Sequence, residues 1–117
     1  MNSGLKQVVA YVRPHKFDQV ELALRKIPDL TGITVSDVRG WGAAKLEAQE
    51  AVHGEGVRDF DSYVRIEIFC LELVLPQVLE AIQSAAYTGL MGDGKIYVLP
   101  TEEAHRIRTQ ECGSGAC

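Results

Sequence analysis

Between Thr88 and Lys95 the chain reads Thr-Gly-Leu-Met-Gly-Asp-Gly-Lys, and the apolar run Ile96 to Leu99 follows at once. Closely spaced glycines let backbone amides approach an anion with no Cβ in the way. Lys95 adds a full positive charge at the exit of the stretch. The spacing is not that of a G-x-x-x-x-G-K-[ST] phosphate loop. Downstream stand Arg106-Ile-Arg108. If that segment is extended, the period of two puts both guanidiniums on one face, and arginine forks suit phosphate oxygens. Spacing alone leaves two readings open: a cradle for a phosphate compound, or a helix-to-strand turn followed by a solvated basic face.

Other chemistries find little support. There is no H-E-x-x-H and no Cys-x-x-Cys, and His15, His53 and His105 are scattered without ligand spacing. No metal site and no enzyme is expected. The net charge of −4 over 117 residues argues against general nucleic-acid or membrane-surface binding. It leaves room for a local basic pocket. No apolar run reaches bilayer length. The N-terminus has no signal-peptide core, so a cytoplasmic protein is expected.

The length fits one domain, and a core this small is readily supplemented by oligomerisation. Residues 5–13 read as a strand stopped by Pro14. Val20, Ala23, Leu24 and Ile27 mark one helix face, with Asp18 in the first turn and Pro28 after the end. Residues 31–40 form a second strand. Residues 41–59 keep no period, and so long a loop in a small domain is usually functional or disordered. Residues 60–74 alternate strictly, with Val64, Ile66, Ile68 and Cys70 on one face and Tyr63, Arg65, Glu67 and Phe69 on the other. Pro76 suits a helix start; Val78, Leu79, Ile82 and Ala86 form its stripe, and Gly89 is placed to end it. Tyr97 to Leu99 make a fourth strand, Thr101 to Ala104 one helical turn, and residues 106–108 an extended piece. The order βαββαβ defines an α+β, ferredoxin-like split βαβ fold, with helices on one sheet face. Tyr11 and Phe69 are expected on the bare face, which neighbouring subunits would cover in a closed homo-oligomer.

Several blocks of this chain resemble the PII signal-transduction family: Arg13-Pro-His-Lys-Phe17, Gly32 to Gly42, Arg65-Ile-Glu-Ile68, Thr88 to Val98, and Arg106-Ile-Arg-Thr109. The likeness runs from about residue 5 to 111, leaving 112–117 as a cysteine-containing tail. It implies a homotrimer that binds adenine nucleotides in clefts between subunits and signals through a long T-loop, here residues 42–59. Gly32, Ile33, Thr34, Glu67 and Phe69 would then lie near the adenine. Gly40, Trp41 and Gly42 would sit at the T-loop base beside the nucleotide. Gly92, Asp93, Gly94 and Lys95 would form the B-loop around phosphate and ribose, and Arg106 and Arg108 would arrive from the neighbouring subunit.

Departures from the family pattern point to its inorganic-carbon regulators, the carboxysome-associated PII proteins and the bicarbonate-transporter-associated PII-like proteins. The T-loop opens Gly40-Trp-Gly-Ala-Ala-Lys-Leu46 where the family usually has G-F-G-R-Q-K-G. Ala43 replaces an arginine that grips the terminal phosphate of ATP, a contact of about 1.5–3 kcal/mol. ADP or AMP should therefore gain on ATP. Ala44 replaces a glutamine that serves magnesium and 2-oxoglutarate, so weak or absent 2-oxoglutarate binding is expected. Gly56 stands where some members carry a uridylylated tyrosine, and residues 42–59 contain no serine.

The tail Glu111-Cys-Gly-Ser-Gly-Ala-Cys117 has glycines that would let Cys112 and Cys117 meet as a redox-responsive clip, or it carries two idle thiols. The resemblance implies bicarbonate as a second ligand, with Gly42 and Lys45 as candidate contacts. It also implies a bicarbonate transporter or carboxysome component as partner. Nitrogen-regulatory sensing of ATP and 2-oxoglutarate is the alternative. Slow, redox-controlled ATP or ADP hydrolysis is another, with Glu67 and Asp93 as its carboxylates.

Overall fold

The computed structural model describes residues 4–42 and 60–116. Strand β1 spans Leu5–Val12 and runs through a short 3-10 turn, Pro14–Lys16, into helix α1, Phe17–Arg25. Pro14 cannot donate to a ladder, so it marks this change of structure. Strand β2 is Thr34–Gly40, and β3 is Asp61–Leu71. Helix α2 is Leu75–Ala86, β4 is Gly94–Thr101, and a 3-10 turn covers Gly113–Ala116.

The strands form one antiparallel sheet in the order β2-β3-β1-β4. The two central strands are thus first and third in sequence, as the split βαβ arrangement requires. Alternation decides which face is buried. Val8, Ala10 and Val12 of β1 and Val64, Ile66, Ile68 and Cys70 of β3 point toward the helices. Val20 and Leu24 of α1, Ile27 just beyond it, and Val78, Ile82 and Ala86 of α2 complete that core. The helices also pack on each other.

Among the described residues, no helix packs on the opposite sheet face. Tyr11, Tyr97, Arg65, Glu67 and Phe69 project from it, with Tyr11 and Tyr97 edge to face at 6.3 Å between ring centroids. Gln7 Nε2 donates to Glu67 Oε2 at 2.9 Å, and Arg65 Nη2 reaches the same oxygen at 3.3 Å. Hydrogen bonding to Tyr11, then to Glu67, holds the Arg65 guanidinium firmly charged. This face therefore mixes apolar rings with a satisfied polar network.

Several sequence expectations need correction. Strand β4 is longer than Tyr97 to Leu99, because it pairs with β1 from Gly94 to Thr101. It tolerates Pro100 as an edge strand. Helix α2 ends at Ala86, before Gly89, although Gly89 does take the left-handed φ of +82°. Residues 102–104 form no helical turn. Residues 107–109 form a turn, so Arg106 and Arg108 do not share the face of an extended strand. The backbone there closes a hairpin: Arg106 N–H donates to the Glu111 carbonyl at 2.7 Å, Gln110 N–H to Arg106 at 2.7 Å, and Gly113 N–H to Ala104 at 3.0 Å. His105 and Cys112 pair across its base.

Candidate functional site

The stretch 88–95 joins α2 to β4 and is organised by Asp93. One carboxylate oxygen accepts the Thr88 N–H at 2.8 Å and the Gly89 N–H at 3.0 Å. The other accepts the Thr88 hydroxyl. Thr88 Oγ1 in turn accepts the Leu90 N–H at 3.1 Å. These bonds, the Thr88 hydroxyl first, hold the Asp93 carboxyl below its ordinary range. Asp93 is thus the staple of the loop.

Gly92 and Gly94 take φ of +90° and +116°. A Cβ on Gly94 would lie 1.8 Å from the Tyr11 carbonyl oxygen, and one on Gly92 would lie 2.2 Å from Arg13 Nη2. Both glycines let neighbouring groups come close, which is what a cradle requires. Lys95 follows on β4, exposed and opposite Tyr11.

Residues without an expected role complete this end of the sheet. Arg13 sits 4.8 Å over the ring of Tyr63 and pairs with Asp61 at 3.4 Å. The Tyr63 hydroxyl donates to the Gly92 carbonyl at 3.3 Å. Arg13 and Tyr63 thus join the ends of β1 and β3 to the glycine loop. A signal for Tyr63 existed in its parity with Arg65 and Glu67, but its contact with Gly92 spans 29 residues and carries no local mark.

Gly40 ends β2 at the same end of the sheet, opposite Asp61, with Trp41 and Gly42 exposed beyond it. A Cβ on Gly32, Gly40 or Gly42 would meet nothing within 4 Å, and none of the three has positive φ. Among the described residues, nothing inside the protomer explains why these positions are glycine.

The other predicted residues lie at the opposite end. A cleft of about 360 Å³ is lined by Gly32, Thr34, Glu67 and Phe69 together with His105 and Ala116. Ile33 packs against the core and does not line this cleft. Arg106 and Arg108 are carried on the hairpin beyond Thr101, at that same end. Lys95 to Thr101 along β4 spans roughly 20 Å at a strand rise of about 3.4 Å per residue. The structure therefore puts Gly40–Gly42 and Gly92–Lys95 at one end of the sheet, on its two opposite edges, and gathers Gly32, Thr34, Glu67 and Phe69 at the other.

Lys45, Ala43 and Ala44, most of the expected T-loop, and Cys117 lie outside the described residues. Cys112 is exposed with a free thiol. Among the described residues no cluster of metal-binding side chains occurs, and no helix is long and apolar enough to cross a membrane.

A four-stranded antiparallel sheet in the order β2-β3-β1-β4, with both described helices on one face and a glycine loop before β4, defines an α+β protein of the ferredoxin-like class. Residues 5–111 match the family described as nitrogen regulatory protein P-II. The chain is 41% identical over 112 residues to the nitrogen regulatory protein P-II of Azospirillum brasilense, covering 96% of this chain and 99% of that one. It is 43% identical to that of Rhodospirillum rubrum with the same coverage. Among solved structures, the Bacillus subtilis GlnK–ATP complex superposes with a TM-score of 0.81 at 30% identity, covering 100% of this chain and 99% of that one. Arabidopsis thaliana PII bound to citrate gives 0.79 at 38% identity, covering 97% and 92%. The chain belongs to the P-II family.

Proposed function

We propose that this chain is a PII signalling protein that binds an adenine nucleotide between two protomers of a closed ring, a homotrimer. The observation that carries this reading is the separation of Lys95 from Arg106 and Arg108 at opposite ends of one sheet. One nucleotide spans that set only if the glycine-loop end of one protomer meets the hairpin end of the next. Gly32, Gly40 and Gly42, unexplained by packing within the protomer, supply backbone to the same ligand. The ATP complex of the Bacillus subtilis relative supports an adenine nucleotide as the class.

The role is regulatory and not catalytic. Asp93 is committed to shaping its loop, and Glu67 accepts from Gln7 and Arg65, so neither is poised to activate water. The names of the relatives support nitrogen regulation over bicarbonate sensing; in that reading ATP and 2-oxoglutarate are the signals. Ala43 and Ala44 favour a second reading, in which ADP or AMP outcompetes ATP and bicarbonate is the second ligand. In that reading Gly42 and Lys45 lie near the bicarbonate, and the partner is a bicarbonate transporter or a carboxysome component.

Mixing tests the shared site. Lys95→Ala and Arg106→Ala homo-oligomers each bind ADP and ATP about 10–100-fold more weakly, the scale of one charge-assisted contact. Refolding the two variants together regenerates some full-affinity sites, because an intact loop end then meets an intact hairpin end. No recovery in verified mixed oligomers overturns the reading. Titration calorimetry of AMP, ADP and ATP, with and without 2-oxoglutarate or bicarbonate, separates the two signalling roles. Mutual strengthening of ATP and 2-oxoglutarate gives nitrogen regulation; strengthening of ADP or AMP by bicarbonate gives the second reading.

A further inference from the structure

The matched family region ends at residue 111, and the residues beyond it fold back onto their own protomer. Cys112 pairs with His105, and the Gly113 N–H donates to the Ala104 carbonyl at 3.0 Å. Gly113 turns the chain with a left-handed φ of +74°, and the 3-10 turn Gly113–Ala116 follows. Ser114 and Gly115 are exposed, whereas Ala116 is half-buried. Ala116 lines the same cleft of about 360 Å³ as Gly32, Thr34, Glu67 and Phe69. Ala104 and His105, where the tail is tied down, line it too.

The walls of this cleft suit a flat aromatic ring. Phe69 is 43% exposed and offers an apolar face. Gly32 has no side chain, and Ala116 has only a methyl group. A ring stacked on an aromatic face gains from a second apolar wall that keeps water from it. We propose that the tail, residues 113–116, walls the base end of the nucleotide site in its own protomer, with Ala116 leaving room for the base. The inference rests on the reading that this cleft takes the adenine of a nucleotide. The tail acts within one chain, because its bond to Ala104 and its pairing with His105 place it without a neighbour.

Affinity tests the wall. Ala116→Leu fills part of the cleft and weakens AMP, ADP and ATP about tenfold, a change of about 1.4 kcal/mol. Gly113→Val unseats the turn. Its Cβ meets nothing within 4 Å, so the change strains only the backbone, where a β-branched residue is forced to positive φ. The bonds from Arg106 to Glu111 and from Gln110 to Arg106 lie ahead of it. Both variants lose the same factor for all three nucleotides, because the base is what they share. Unchanged affinity in both, or a loss that grows with each added phosphate, overturns the proposal.

A spin label tests the seat with no ligand present. A nitroxide is attached at Ala116→Cys in a 15N-labelled Cys112→Ser, Cys117→Ser chain; Cys70 is buried and stays unmodified. The amides of Gly32 and Thr34 broaden more than those of Gly92 and Gly94, at the far end of the sheet. The contrast survives refolding with a large excess of unlabelled wild type, as a tail seated in its own chain requires. Equal broadening at the two ends, or loss of the contrast on dilution, overturns the seat. Adenylate binding without the seat refutes the wall alone and leaves the nucleotide reading standing. The seat in a wild type that binds no adenylate upholds the fold of the tail and refutes the nucleotide reading.

Discussion

The Tyr63 hydroxyl donates to the Gly92 carbonyl at 3.3 Å, and Arg13 lies over the face of the same ring. Tyr63 begins just after the segment 43–59, and Gly92 stands in the glycine loop. One side chain therefore links the root of the first to the backbone of the second. Tyr63→Phe keeps the ring under Arg13 and removes only the hydroxyl. The expected loss is about 0.5–1.5 kcal/mol, the net worth of one hydrogen bond. Urea denaturation measures it, and a midpoint equal to wild type would show that the bond contributes nothing.

Gly94→Ala should be far more damaging than its size suggests. The position has φ of +116°, and the new methyl would lie 1.8 Å from the Tyr11 carbonyl oxygen. Backbone on both sides must shift, and strain of this kind costs about 1–3 kcal/mol. Thermal melting should fall, and adenylate binding should weaken with it. Gly40→Ala is the contrast, since its Cβ meets nothing within 4 Å of the protomer. It should melt as wild type does while losing nucleotide affinity.

Asp93 gives the glycine loop a defined acid sensitivity. Its hydrogen bonds to Thr88 and Gly89 depress its pKa. A depressed carboxylate contributes in full above its unfolded value of about 3.9, and the contribution is lost as pH falls through the lower folded value. The amides of Thr88 and Gly89, followed by NMR, should hold their positions from pH 7 to pH 5 and move only below about pH 4. Titration of these amides above the ordinary carboxylate value would contradict the staple. Asp93→Asn should abolish the transition.

Ile66 is fully buried at the centre of β3, under both helices. Ile66→Ala should cost about 2–5 kcal/mol through lost burial and the cavity left behind. Val35→Ala, on edge strand β2 with its side chain about half exposed, should cost well under that. Equal losses in denaturant midpoint would place the core elsewhere.

Local periodicity determined most of the architecture. The alternation of Val64, Ile66, Ile68 and Cys70 fixes the buried face of β3, and Val78, Ile82 and Ala86 fix that of α2, because each period follows from backbone geometry alone. The glycines and lysine of residues 88–95 marked one half of the proposed site for the same reason: positive φ and close approach are local demands. The tertiary structure decided the rest. Residues 106–108 looked extended because their hairpin depends on carbonyls at Ala104 and Glu111, which no alternation pattern encodes. Arg13, Tyr63 and Gly92 meet only because β1 and β3 pair. Whether Lys95 and Arg106 share one end of the sheet is a matter of strand register and chain direction, and these are set by pairing between distant segments. That non-local geometry places them at opposite ends of the sheet, and it is on this separation that the proposal of a site shared by two protomers rests.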